Sequence, residues 1–170
     1  MRIIVSDSSC LIDLRKVALL GPFLSLEYEV IIPDTLFEDE LLNFSQHEKL
    51  ALKQAGMNVV ELPGEGVRRA QQLESQFPAL SLHDCFACAL AERHPGCMLL
   101  TGDHRLRTVA TRQGIEVHGI LWVIDEIHRG GISQPQTLLN ALEQFEADPT
   151  VHLPVKELRT FIKRYRASIK

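Results

Sequence analysis

The sequence predicts a Rossmann-like, three-layer α/β/α domain with a mostly parallel central sheet, and three observations predict it. Short apolar runs alternate with amphipathic stretches along most of the chain. Several of those runs are apolar throughout rather than alternating, as strands covered on both faces are. The β-α-β order then favours parallel pairing, because each intervening helix carries the chain back to the same edge.

Strands are expected at 2–6, 29–32, 58–62, 97–101 and 116–118, with helices between them at 10–20, 35–44, 46–55, 67–77, 81–92 and 106–113. Pro33 ends the second strand, and Asp34 or Thr35 can cap the helix that follows. Ser81 is a good N-cap for the helix over 81–92. Beyond the last strand, residues 122–128 precede a Gly130-Gly131 break. Two more helices are expected near 135–145 and 155–166, separated by Asp148 and Pro149. We therefore expect a main domain over 1–130 and a helical extension over 131–170. That extension is too short for a core of its own, and should pack on the domain or on a partner. It ends basic, with Lys163, Arg164, Arg166 and Lys170, which suits a solvated helix face or a contact with RNA or a partner.

Composition narrows the function classes. The chain has 170 residues, 45% of them hydrophobic, which is enough for one ordinary core. Its net charge of -4 argues against a general nucleic-acid coat protein, which should be basic. An enzyme that meets nucleic acid through a metal and a local basic patch remains compatible. The N-terminal stretch lacks a signal-peptide layout and no run approaches a membrane span, so a cytoplasmic location is expected. Cys85 and Cys88 form a C-x-x-C within an alanine-rich helical pattern; with no second metal-ligand pair nearby, buried small residues are the better account.

Four acids carry the chemistry. In an open parallel sheet, ligands bind outside the C-terminal ends of the strands. Asp7 directly follows the first strand and Asp103 follows the fourth, so both are delivered to one edge. Asp84 is the third residue of the helix that Ser81 caps; it suits a capping box and the helix dipole, and the same helix start faces the ligand edge. The fourth acid lies among Glu38, Asp39 and Glu40, which point roughly 100° apart on a helix. Glu40 and Asp39 border the apolar face from opposite sides, and Glu38 is the most exposed. Such a cluster needs protons or a cation. Hard divalent ions, Mg²⁺ or Mn²⁺, prefer oxygen ligands, and such an ion can activate water against a phosphodiester.

These residues resemble the PIN-domain family. DSSCLIDL, PDTLFEDEL, SLHDCFACALA and LLTGDHRL occur in that family's order over about 2–124. Each motif is weak alone, and the four in order are specific. The resemblance implies a parallel sheet, a Mg²⁺ or Mn²⁺ site and RNA cleavage. It also implies kinship with VapC-type toxins, which are held inactive by an antitoxin protein and are often homodimers. Asp7 then matches the first acid, Asp84 the third and Asp103 the fourth. For the second, Glu40-Leu41 matches the family's dipeptide, while the count from Pro33 gives Asp39. Glu40 is preferred and Asp39 stays open. Ser8 resembles the family's supporting hydroxyl, although it also suits a helix N-cap, and Thr101 looks like a second support. Arg105 and His104 are the expected contacts to substrate phosphate.

Two other readings compete. A haloacid-dehalogenase-like phosphatase needs a second Asp two residues after the first, where this chain has Ser9. A non-catalytic module that binds RNA or protein would keep the fold without needing the acids.

Overall fold

A computed structural model describes all 170 residues. Five strands form one sheet: β1 (Arg2–Ser6), β2 (Tyr28–Pro33), β3 (Asn58–Val60), β4 (Met98–Leu100) and β5 (Glu116–His118). Their order is β3-β2-β1-β4-β5, and every neighbouring pair is parallel. β1 lies in the middle. Ile4 and Val5 of β1 are fully buried, as the all-apolar pattern requires.

The chain builds outward from β1 through β2 to β3, then crosses back to place β4 on the other side of β1. This reversal opens a crevice at the C-terminal ends of β1 and β4, where doubly wound sheets bind ligands. Register brings the two ends level. Ser6 pairs with Leu100, and the Asp7 N–H donates to the Leu100 carbonyl at 2.8 Å.

The helices are α1 (Ser8–Lys16), α2 (Leu20–Leu24), α3 (Asp34–Asp39), α4 (Gln46–Gln54), α5 (Gly64–Gln76), α6 (Leu82–Glu92), α7 (His104–Arg112), α8 (Ile120–Arg129), α9 (Pro135–Ala147) and α10 (Val155–Ile169). Helix α6 lies against β1, β2 and β4, while α1, α2 and α9 meet on α8. The C-terminal helices α9 and α10 pack on each other, and Leu142, Phe145, Leu158 and Ile162 join the same continuous core as the sheet. Tyr165 of α10 donates its hydroxyl to Asp125 of α8 at 2.9 Å.

Two expectations about helices need correction. The helix expected over 10–20 begins at Ser8 and stops at Lys16, and α2 follows separately. Ala18 adopts a left-handed φ of 58°, the Ala18 N–H donates to the Arg15 carbonyl and the Leu19 N–H to the Leu14 carbonyl. These bonds make a Schellman end. Pro22 falls in the first turn of α2, where its missing N–H costs nothing.

The helix expected over 35–44 spans only Asp34–Asp39, with Glu40 as its C-cap. Leu41 and Phe44 are buried from the turn that follows, so the apolar spacing reported burial and not helix. Ser45 then starts α4 with a full capping box to Glu48.

Candidate active site

Asp7 sits at the centre of the crevice. It caps α1, and its Oδ1 accepts the Ser8 N–H at 2.8 Å. Its Oδ2 accepts two hydroxyls, Thr101 at 2.8 Å and Ser9 at 3.0 Å. The side chain is buried, with 4% of the residue exposed. Burial pushes its carboxyl up to about 6; the Thr101 hydroxyl opposes that, and the charges of Asp84 and Glu40 add to it.

Thr101, fully buried at the end of β4, also accepts the Asp103 N–H at 3.0 Å. One hydroxyl thereby sets both the first acid and the loop that presents Asp103. Ser9 does the same from the other side: it donates to Asp7 and accepts the Gly102 N–H at 3.1 Å. Sequence reasoning considered Ser9 only as a missing aspartate. The signal was the run of two serines directly after Asp7, each with a hydroxyl at the start of a helix.

Asp103 caps α7. Its Oδ1 accepts the N–H groups of Arg105 and Leu106 at 2.8 and 3.0 Å, which leaves Oδ2 without a protein donor. Asp84 completes a capping box with Ser81 through Oδ2, at 3.0 Å, and its Oδ1 accepts no protein donor. Burial raises the Asp84 carboxyl; the Ser81 amide opposes this and the charge of Asp103 adds to it. Capping and site geometry thus coexist in one side chain.

Glu40 and Asp39 part company. Glu40 Oε1 accepts the Ser8 hydroxyl at 2.7 Å, which links it to the residue beside Asp7. Asp39 is exposed and places Oδ2 3.0 Å from Nε2 of His83. Glu38 faces Lys49 at 3.9 Å. Ser8 is therefore the first helical residue and not the cap, since Asp7 holds that position. Its hydroxyl is free to reach Glu40.

None of Asp7, Glu40, Asp84 and Asp103 forms an ion pair with Lys or Arg. Four segments far apart in sequence thus supply carboxylates to one neighbourhood without counter-charges. The set is open: no three His, Cys, Asp or Glu side chains stand close enough to chelate one ion as placed. The donor chemistry still fits a hard divalent cation, being all carboxylate, with oxygens of Glu40, Asp84 and Asp103 left free of protein donors.

A family model described as a PIN domain matches residues 3–167. The chain belongs to the PIN-domain family. PIN domains are generally nucleases that depend on divalent metal. Among curated proteins, no match is found.

The remaining features of this PIN domain fall into place around the crevice. His104 and Arg105 stand exposed on the first turn of α7, without carboxylate partners. No helix is long and apolar enough to cross a membrane. Cys85 and Cys88 are fully buried, and burial pushes their thiols up to about 11 and about 12, the reverse of a reactive or metal-binding pair.

Proposed function

We propose that this PIN domain is an endoribonuclease that hydrolyses RNA phosphodiester bonds with Mg²⁺ or Mn²⁺. Asp7, Glu40, Asp84 and Asp103 would hold the metal, with Glu40 rather than Asp39 as the second acid. The observation that carries the reading is Asp7: a buried carboxylate raised to about 6, with Asp84 and Glu40 near enough to repel it and no cationic side chain to relieve it. A charged group in that setting is costly unless a cation joins it.

When bound, the metal would supply an activated water and offset charge building on the phosphate oxygens. The chain's own residues do the positioning. Thr101 and Ser9 hold Asp7 by its Oδ2, so its orientation is fixed before substrate arrives. Ser8 holds Glu40, and the N-terminal amides of α7 fix Asp103. Arg105 and His104, exposed beside Asp103, would meet substrate phosphate.

We further propose the toxin role in a toxin–antitoxin pair, on the family resemblance of the four motifs. An antitoxin partner, a homodimer and a cytoplasmic location go with that role.

The test is direct. Purified protein should cut single-stranded RNA with Mn²⁺ or Mg²⁺, stop with EDTA, and lose activity as Asp7→Asn. RNA bound but uncut, with no response to metal, would favour the non-catalytic binding module.

A further inference from the structure

A groove of about 860 Å³ begins at the edge of the acidic site and runs towards the C-terminal helices. Its inner end is formed by Thr101, Gly102 and His104, which flank Asp103, and the Thr101 hydroxyl is already bonded to Asp7. Arg107, Trp122, the 151–154 segment and the first turns of α10 also line it.

Arg107 stands with His104 and Arg105 among the cations that follow Asp103 in the sequence, and it lines this groove where Arg105 does not. It has no carboxylate partner. Its guanidinium lies over Gly119, where a Cβ would come within 3.0 Å of Nη2. A glycine there lets the cation lie close to the backbone at the end of β5. Trp122 stacks on His118, with ring centroids 4.3 Å apart and planes 15° from parallel, so the indole is held in place. Two carboxylates also line the groove. Asp125 is occupied by Arg164 and Tyr165, and Glu157 lies at the outer, exposed side.

A cation and a fixed aromatic ring in one channel suit a single-stranded nucleic acid, which offers a phosphate to the first and a base face to the second. A duplex hides its base faces and fits poorly. We propose that this groove holds the single-stranded RNA flank next to the scissile phosphate, with Arg107 on a phosphate and Trp122 against a base. The proposal rests on the ribonuclease reading, and it gives the C-terminal helices a part in substrate binding.

Trp122 is the only tryptophan in the chain, so its fluorescence reports this groove alone. In the Asp7→Asn background, a short oligouridine should quench that fluorescence saturably, in step with the anisotropy of labelled RNA. Arg107→Ala should weaken binding about tenfold and reduce the slope of log affinity against log salt by about 0.7, as one lost phosphate contact on a single strand does. With active protein, the same substitution should raise KM and leave kcat within a few-fold. Binding by anisotropy with no change at Trp122, or an unchanged affinity and salt slope in Arg107→Ala, overturns the groove and leaves the nuclease intact. Strand scission that persists in Asp7→Asn, or is absent from the wild type, overturns the acidic-site reading instead, and the Trp122 signal still tests the groove.

Discussion

Thr101 donates its hydroxyl to Asp7 Oδ2 at 2.8 Å, joining two residues 94 positions apart in the chain. The Thr101 Oγ1 in turn accepts the Asp103 N–H. Thr101→Val keeps the shape and removes both bonds. Activity should fall roughly 10- to 100-fold, as when an outer partner of a metal-site carboxylate is lost. Thermal stability should change by less than the activity loss implies. A steady-state assay beside a melting curve checks this; a drop in melting temperature with full residual activity per folded molecule would make Thr101 purely structural.

Asp7 is the case where burial works against stability. Its carboxyl is raised from 3.8 to about 6 in the folded chain, so folding prefers the protonated form. The contribution is favourable below the unfolded value and is lost as pH rises through about 6. By pH 7.5 the charged group costs on the order of 3 kcal/mol. Asp7→Asn should therefore melt at the same temperature as wild type or higher at pH 7.5, with the gain shrinking towards pH 4, while cleavage disappears. A large fall in melting temperature at pH 7.5 would contradict this.

At the proposed metal site the same shift would govern cation binding. A cation held there would have to displace the proton from Asp7 below about pH 6. Apparent Mn²⁺ affinity should weaken by about tenfold per pH unit below that point and level off above it. Calorimetric titration across pH 5 to 8 reads the curve, and a flat profile would remove Asp7 from the ligand set.

Glu40 and Asp39 are adjacent yet face different partners, Ser8 and His83. Glu40→Gln should cost more activity than the roughly 10- to 100-fold expected for an outer partner. Asp39→Asn should stay within a few-fold of wild type. The opposite ranking in a cleavage assay would reassign the second acid.

Ala18 holds a left-handed φ of 58° at the end of α1 and is exposed. That conformation costs a non-glycine residue about 1 kcal/mol. Ala18→Gly should relieve it and raise the melting temperature by about 2–4 °C in a chain of this length. A lower melting temperature would mean that glycine's greater freedom in the unfolded chain outweighs the strain.

Sequence alone determined the succession of strands along the chain and where the acids fall within it. Apolar runs long enough to bury on both sides mark strands whatever their neighbours are, and all five expected strands were found, with ends shifted by one or two residues in most. An acid directly after a strand reaches the C-terminal edge in any parallel arrangement, so Asp7 and Asp103 were legible before any strand order was known. Ser81 and Asp84 were legible because a capping box is local chemistry. Three things needed the tertiary structure. The end of α3 was hidden because Leu41 and Phe44 kept the apolar spacing beyond the last helical turn. The choice of Glu40 over Asp39 as Asp7's neighbour depends on which way a helix end turns, and a one-residue rotation of roughly 100° reverses it. Thr101 and Ser9 took their partners across the sheet edge, from segments that only the crossover from β3 to β4 brings together. Spacing along a chain reports local geometry; which hydroxyl meets which carboxylate is decided by packing between distant segments.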